Sequence, residues 1–538
     1  MRAKKVLSVK NYSLKIDDKN VLSNISFELR KGEILGVVGE SGSGKSLTAL
    51  SVLKLLNIQN LQSDGEIFFN GNSLSQLEES KIKKIRGKEI SIIFQEPMSS
   101  LNPSMKCGHQ ISEIILNHEK ISSASSKIKS LELISKVKLS NPNKIYEKYP
   151  HELSGGQQQR IMIAIAIACK PKLLIADEPT TSLDSIVKNG ILELVKSLQS
   201  EFRMSVIFIS HDLNLISNFV DNILILKNGK IVEKGNVSSI FKSPKNEYTL
   251  KLLNSTPPKK NRPHRLLTSN SITSKLISVK QRKENHKIIY DQSPILEIKN
   301  ISVSFGKTTV LNNISFELFK GEVLGIVGES GSGKSTIAKC ILDLIPLKDG
   351  KITFKGENIL NVKDSIFRKK IQLIFQDPYS SLNPEMSIGD SIVEPMIVHK
   401  IFSTKEEMKL KALTLLDQVG LSESDYYKFP DEFSGGQRQR IVIARALVLN
   451  PEIIVCDESV SALDVSIQAE ILNLLNDLKE IHKFTYIFIS HDMSVVKYFT
   501  DRVIVLNKGN IIELNETDAL FKFPKKDYTK ALLKASNF

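Results

Sequence analysis

At 538 residues, 41% apolar and 25% charged, the chain is too long for one hydrophobic core and too apolar for a disordered polymer, which predicts two domains of roughly 250 residues. Its formal charge of +15 is compatible with nucleic acid, an anionic membrane face or a merely lysine-rich surface. Four scattered cysteines, Cys107, Cys169, Cys340 and Cys456, form no CxxC pair, which argues against a zinc site or disulfide framework and fits a reducing compartment.

Neither a membrane span nor a leader is expected. The longest apolar run, Ile161 to Cys169, is about half of what a bilayer requires, and the basic start of the chain has no apolar stretch of signal-peptide length.

In chain order, the first informative element is an apolar run from Ile34 to Val38, read as a strand, ending in GESGSGKS at Gly39 to Ser46. An apolar-periodic stretch to Leu56 follows, so the glycines sit between strand and helix. Gly39, Gly42 and Gly44 let backbone N–H groups turn inward around phosphate oxygens, with Ser41 on the same loop. Lys45 supplies a fixed positive charge, and Ser46 and Leu47 open the helix, where a hydroxyl can reach Mg2+ and the helix N-terminus favours an anion.

Next come an apolar strand, Ile90 to Gln95, and then Leu153-Ser154-Gly155-Gly156-Gln157, which opens an apolar helix. The strand LLIADE ends in Asp177, placed to hold Mg2+ through water, and Glu178, placed to orient or deprotonate water. A further strand ends at His211, a candidate donor to a γ-phosphate, and Asn228-Gly229 reads as a tight hairpin turn.

From Pro257 to Pro294 nine basic residues stand against Glu284 and Asp291, a net +7, so this segment is expected to be a solvated basic linker. It separates a first domain, 1–256, from a second, 295–538.

The second domain repeats the first. GESGSGKS recurs at Gly328 to Ser335, supplying Gly328, Ser330, Gly331, Gly333, Lys334, Ser335 and Thr336. Gln376 follows, then Ser434-Gly435-Gly436, Asp457-Glu458 and His491. Serine to aspartate spans 23 residues and aspartate to histidine 34 in both copies, while Lys-to-Gln is 50 in the first and 42 in the second. Equal spacing predicts one scaffold used twice, with the insertion on a surface. Alternating strands and helices predict two α/β cores with mainly parallel sheets and ligand loops at the strand C-termini. Lys508-Gly509-Asn510 is read as a looser counterpart of the first hairpin turn.

Taken together, these motifs resemble the ATP-binding cassette (ABC) ATPases over essentially the whole chain except the linker. The resemblance implies tandem P-loop NTPase domains, each with a mainly parallel core sheet, an antiparallel β subdomain and a helical signature subdomain. It implies ATP and Mg2+ at two composite sites, formed as the halves pair within one chain. One would combine Lys45, Ser46, Gln95, Asp177, Glu178 and His211 with Ser434, Gly435 and Gly436; the other, Lys334, Ser335, Gln376, Asp457, Glu458 and His491 with Ser154, Gly155 and Gly156. Gln95 and Gln376 would join Ser46, Asp177, Ser335 and Asp457 around the metal, while Asp184 and Asp464 match residues that communicate across the pair. Phe305 matches the position on which adenine stacks, and its counterpart is Ile16. Two more departures are Pro179 against Ser459 and Gln158 against Arg438, both expected to have modest effects.

After each glutamine come EPMSSLNP (Glu96 to Pro103) and DPYSSLNP (Asp377 to Pro384), and each half ends in Tyr-Thr-x-x-Leu-Leu, at Tyr248 and Tyr528. Both features are similar to the oligopeptide, dipeptide and nickel importers, and the fused architecture to subunits for peptide, microcin C-like or glutathione uptake. The resemblance implies two integral-membrane permease subunits and, through them, a solute-binding protein, with the chain peripheral to the cytoplasmic face of the inner membrane. No iron–sulfur cluster is expected, because no cysteine follows Cys169 in the first half or Cys456 in the second. No nucleic acid is expected either. The alternative is a soluble tandem ABC ATPase acting on ribosomes or nucleic acid, which usually carries an arginine where Leu213 and Met493 stand here.

Overall fold

The computed structural model describes residues 4–181, 183–258, 262–268, 276–362, 364–461, 463–536 and 538. The chain forms two compact units, the first ending at Leu253 and the second beginning at Asn254.

Ten strands build the first unit: β1 (Lys5–Ile16), β2 (Lys19–Arg30), β3 (Ile34–Val38), β4 (Leu61–Phe69), β5 (Asn72–Ser73), β6 (Ile90–Ile93), β7 (Leu173–Asp177), β8 (Ser205–Ser210), β9 (Asn222–Lys227) and β10 (Lys230–Asn236). They form a four-stranded sheet, β2-β1-β4-β5, with antiparallel pairing, and a six-stranded sheet, β10-β9-β3-β8-β7-β6. In the larger sheet only the β9/β10 pair is antiparallel. Strands β3, β7 and β8 are buried at every residue, which is why they read as unbroken apolar runs and not as alternating ones.

Alternation along these strands sends side chains into two cores. Ile34, Val38, Leu174, Ala176, Val206 and Phe208 face the helical side, packing with the Gly155–Ile167 and Ser185–Phe202 helices. Leu35, Val37, Leu173, Ile175, Ile207 and Ile209 face the antiparallel sheet and the Lys45–Val52 helix.

The second unit repeats the plan with β11 (Leu296–Phe305), β12 (Thr308–Leu318), β13 (Val323–Val327), β14 (Asp349–Phe354), β15 (Glu357–Asn358), β16 (Ile371–Ile374), β17 (Ile453–Asp457), β18 (Thr485–Ile489), β19 (Arg502–Asn507) and β20 (Asn510–Glu516). Its sheets are β12-β11-β14-β15 and β16-β17-β18-β13-β19-β20. In both units the ends of three neighbouring parallel strands (β3, β8, β7 and β13, β18, β17) carry the P-loop, the histidine and the acidic pair. The ligand loops therefore emerge at the strand C-termini.

Two expectations are corrected. The Lys508-Gly509 turn is no looser than Asn228-Gly229. Both are two-residue hairpin loops with φ of 45° and 75° in one and 47° and 70° in the other, and Asn510 already belongs to β20. A lysine accepts the left-handed conformation because the next residue must be glycine: a Cβ on Gly509 would lie 2.2 Å from Val310 O. Each turn glycine also links two elements. Gly229 N donates to Ser43 O in the P-loop (3.0 Å) and Gly229 O accepts from Ser23 N on β2 (2.8 Å); Gly509 does the same with Ser332 and Asn312.

The linker is only partly solvated: Lys280, Lys283 and Lys287 are exposed, but Leu266 is buried, with Asn473 bonding both its N–H and its carbonyl, and Arg265 pairs with Asp477 at 2.8 Å. A helix, Val279–Tyr290, follows. Its Arg282 pairs with Asp518 at 2.6 Å, and its Tyr290 ring lies 5.0 Å from the Arg502 guanidinium. Two of the linker's nine basic residues, Arg265 and Arg282, thus pair with carboxylates of the second unit.

Candidate functional site

Lys45 and Lys334 are buried where the loop turns into the helix. Each Nζ is held by two carbonyls of its own loop, Gly39 and Glu40 in one unit and Gly328 and Glu329 in the other, all at 2.9 Å. The preceding residues, Gly44 and Gly333, have φ of 99° and 106°, a conformation side-chain-bearing residues rarely adopt. The ammonium is therefore fixed by backbone. Burial lowers the pKa of Lys334, opposed by Glu458 and Asp457.

Glu178 and Glu458 sit just past β7 and β17 with φ of 45° and 47°, a strained backbone for glutamate. In the first unit one oxygen, Glu178 Oε2, meets His211 Nδ1 at 3.0 Å, Thr181 Oγ1 at 3.0 Å and Gln95 Nε2 at 3.3 Å, while Oε1 lies 3.7 Å from Lys45 Nζ. In the second, Glu458 Oε2 meets His491 Nδ1 and Gln376 Nε2, both at 3.2 Å, and Oε1 lies 3.8 Å from Lys334 Nζ. Ser461, at the place of Thr181, instead donates to the backbone carbonyl of Glu458. Burial pushes the Glu178 carboxyl up, but His211, Lys45 and Thr181 outweigh it and the net shift is downward. Glu178 is a carboxylate at neutral pH, able to accept a proton or orient water.

Asp177 and Asp457 behave differently. Burial raises both, with the adjacent glutamate adding to the effect and Ser46 or Ser335 opposing it. Ser335 Oγ donates to Asp457 Oδ1 at 3.1 Å, whereas Asp177 Oδ1 is buried without a hydrogen-bond partner. A serine hydroxyl beside a buried, under-bonded carboxylate is an oxygen donor set that fits a hard divalent cation.

A sequence model of the family described as ABC transporter matches residues 22–181 and 311–461, more than half of the chain. The chain belongs to the ABC transporter ATP-binding proteins. It carries two ABC cassettes, binds ATP and is an ATPase. A second model, described as the C-terminal region of oligopeptide/dipeptide transporters, matches residues 232–284. The glutathione import ATP-binding protein GsiA of Escherichia coli O157:H7 is 41% identical over 98% of this chain and 89% of its own. That of Shigella dysenteriae serotype 1 (strain Sd197) is 40% identical over the same shares. Among solved structures, the dimeric bacterial ABC transporter cassette MJ0796 covers 43% of this chain and 98% of its own at 27% identity, with a TM-score of 0.39.

Within each ABC cassette the structure gathers the P-loop lysine, the glutamine, the acidic residues and the histidine into one group. Ser154 and Gly155, like Ser434 and Gly435, stay exposed at the start of their helices, where Gln157 and Gln437 cap the serine N–H at 3.1 and 3.0 Å. The glycines after them are packing positions: a Cβ on Gly156 would meet Val187 Cγ1 at 2.7 Å, and one on Gly436 would meet Ile467 Cγ2 at 2.3 Å. Ser41 and Ser330 are exposed on their loops, Leu47 and Thr336 lie in the first turn of the helices that follow, and Asp184 and Asp464 precede the helices 185–202 and 465–482.

Phe305 is 53% exposed at the end of β11 and pairs with Thr308, just as Ile16 pairs with Lys19, so the two are structural equivalents. Tyr12, the nearest aromatic residue, is buried in the core. Gln158 and Arg438 do the same local work, donating to Pro150 O and Pro430 O at 2.8 Å each; Arg438 also lies 5.0 Å from the exposed Tyr379 ring.

Sequence reasoning missed two contributors. Thr181 is one, since a Thr after Glu-Pro-Thr carries no motif of its own. The tail tyrosines are the other: Tyr248 Oη accepts from Glu40 N at 3.2 Å and Tyr528 Oη from Glu329 N at 3.4 Å, so each tail props its own P-loop. Recurrence of the Tyr-Thr-x-x-Leu-Leu tail was the available signal.

Proposed function

We propose that this ABC ATPase powers an importer of peptide-like solutes, bound to two permease subunits at the cytoplasmic face of the membrane and served by a solute-binding protein. The observation that carries the reading is the 41% identity to a glutathione import ATP-binding protein across 98% of the chain, joined to the match of residues 232–284 with the peptide-transporter C-terminal region. These relatives favour an importer over a factor acting on ribosomes or nucleic acid. Among the described residues no helix is long and apolar enough to cross a membrane, so translocation falls to partners.

The family resemblance implies that Ser434 to Gly436 complete the first nucleotide site and Ser154 to Gly156 the second. Ser46 with Asp177 and Gln95, and Ser335 with Asp457 and Gln376, would hold Mg2+, which would supply charge neutralisation of the phosphates. Lys45 and Lys334 bind phosphate oxygens, Glu178 and Glu458 take the proton of the attacking water, and His211 and His491 orient it. Asp184 and Asp464 relay the state of one site to the other.

Exposed apolar side chains beside the glutamines support permease docking: Phe94 and Met98 in the first unit, Phe375 and Tyr379 in the second. The second unit also has a cleft of about 450 Å³ lined by Phe375, Pro395, Val398 and Leu449, suited to an inserted permease helix.

Affinity purification of the tagged chain from gently solubilised cells, followed by mass spectrometry, tests the reading. Recovery of two multi-spanning permeases is expected. Recovery of ribosomes or nucleic acid without a permease would overturn it.

A further inference from the structure

The connector does more than join the units, because it closes one side of a cleft of about 570 Å³ on the second unit. Arg262, Arg282 and His286 come from the connector; Lys320, Lys479 and Lys483 come from the unit it packs against. The lining carboxylates are Glu480 and Asp501.

Most of the available negative charge is already committed. Asp501 Oδ2 accepts from Val323 N at 2.9 Å and Lys479 Nζ at 3.1 Å, and its Oδ1 lies 3.5 Å from His286 Nε2. Asp518 pairs with Arg282 at 2.6 Å, Glu480 with His264 at 2.9 Å, and Glu516 lies 3.5 Å from His286 Nδ1.

What remains is an excess of cations. Burial works against the Arg262 charge and outweighs the support of Asp501, and among the described residues its guanidinium hydrogen-bonds only through Nη1, to Thr500 O at 2.8 Å. A guanidinium carries five N–H donors, and a charge taken from water needs them met. Lys320 and Lys483, exposed at the edges, make no ion pair among the described residues. Ile277, Ile289 and Phe499 add apolar wall between these charges. Two point charges and a planar fork around an apolar floor complement an oxyanion with a short apolar body.

We propose that this cleft is a binding site for an organic phosphate, its oxyanion held by Arg262, Lys320 and Lys483 and its apolar part lying on Ile277, Ile289 and Phe499. The phosphate comes either from a soluble metabolite or from a phospholipid headgroup.

P-loops also take phosphate, so the full chain is first saturated with ADP. Octyl phosphate is then titrated by calorimetry, and binding to phosphatidylglycerol vesicles is followed by sedimentation. Saturable binding is expected in at least one arm, weakened tenfold or more by Lys320→Glu with Lys483→Glu and by Arg262→Gln. Octyl phosphate binding alone assigns a soluble ligand, and vesicle binding assigns a headgroup. The lysine pair is exposed, so that variant keeps its melting temperature and its ADP affinity even if Arg262→Gln unfolds. Absence of saturable binding in both arms, or equal affinity in the folded lysine variant, would overturn the site.

Discussion

His211 Nδ1 stands 3.0 Å from Glu178 Oε2, and the same pair recurs in the second cassette at 3.2 Å between His491 and Glu458. A carboxylate cannot donate, so in this bond Nδ1 carries the hydrogen. Glutamate is thus fixed in orientation by histidine and glutamine and in charge by lysine. Glu178→Gln and Glu458→Gln are each expected to lower turnover at their own site by about 10²-fold or more. Single-turnover hydrolysis checks this, and full activity in either variant would show that site to be non-hydrolytic.

The two glutamates are held unequally: Thr181 donates its hydroxyl to the Glu178 carboxylate, whereas Ser461, at the same place in the second unit, donates to the Glu458 backbone carbonyl. Burial works to raise its pKa, while His211, Lys45 and Thr181 hold it down. Removing one lowering contact raises the pKa, so in Thr181→Ala the acid limb of the pH–rate profile moves toward neutral pH. Measured in a Glu458→Gln background, the shift should be absent from Thr181→Ser. In the second site, Ser461→Ala should leave the limb in place, since that hydroxyl bonds backbone.

Ile16 occupies the structural place of Phe305, and Tyr12, four residues back on the same strand, is buried. Stacking is worth roughly 1 to 3 kcal/mol per base, so Ile16→Phe should tighten ATP binding at the first site at least severalfold. Titration of a fluorescent ATP analogue into a chain with the second P-loop disabled gives the answer; no tightening would reject the assignment of this position to adenine.

Gly436 lies where a Cβ would come within 2.3 Å of Ile467 Cγ2. Gly436→Ala is expected to destabilise the second cassette by about 1 to 3 kcal/mol, the usual cost of overpacking. Ile467→Ala in the same chain, which removes Cγ2, should restore part of the loss, as read by denaturant unfolding.

Tyr248 and Tyr528 each accept a P-loop N–H through the hydroxyl alone. Tyr248→Phe keeps the ring and removes that bond, so ATP affinity at the first site should fall about fivefold, consistent with about 1 kcal/mol for a hydrogen bond. An unchanged affinity would make the tail a packing element only.

The sequence made the motif order legible because the chemistry confines residue type: a phosphate loop needs glycines, and a buried lysine must be held by backbone. Spacing carried the duplication, since 23 and 34 residues recur between motifs that the fold must bring together. Thr181 stayed hidden because its role depends on a strained backbone at Glu178 that turns the hydroxyl toward the carboxylate. The connector was misread for a different reason. Its positive charge suggested solvent, but Asp477, Asp501 and Asp518, about 200 residues further on, supply partners that composition does not reveal. Lys508 showed the same limit, since the glycine beside it lies where a Cβ would come within 2.2 Å of Val310 O, a tertiary closeness that composition does not reveal.

Gly229 and Gly509 touch the P-loop through their N–H and the second strand of the antiparallel sheet through their carbonyl. That sheet bears Ile16 or Phe305 at one rim. On the proposed placement of the base beside Ile16 or Phe305, each turn acts as a ruler, setting the span between the end of the pocket that meets the base and the end that meets phosphates, so that this glycine gauges the length of the nucleotide that fits.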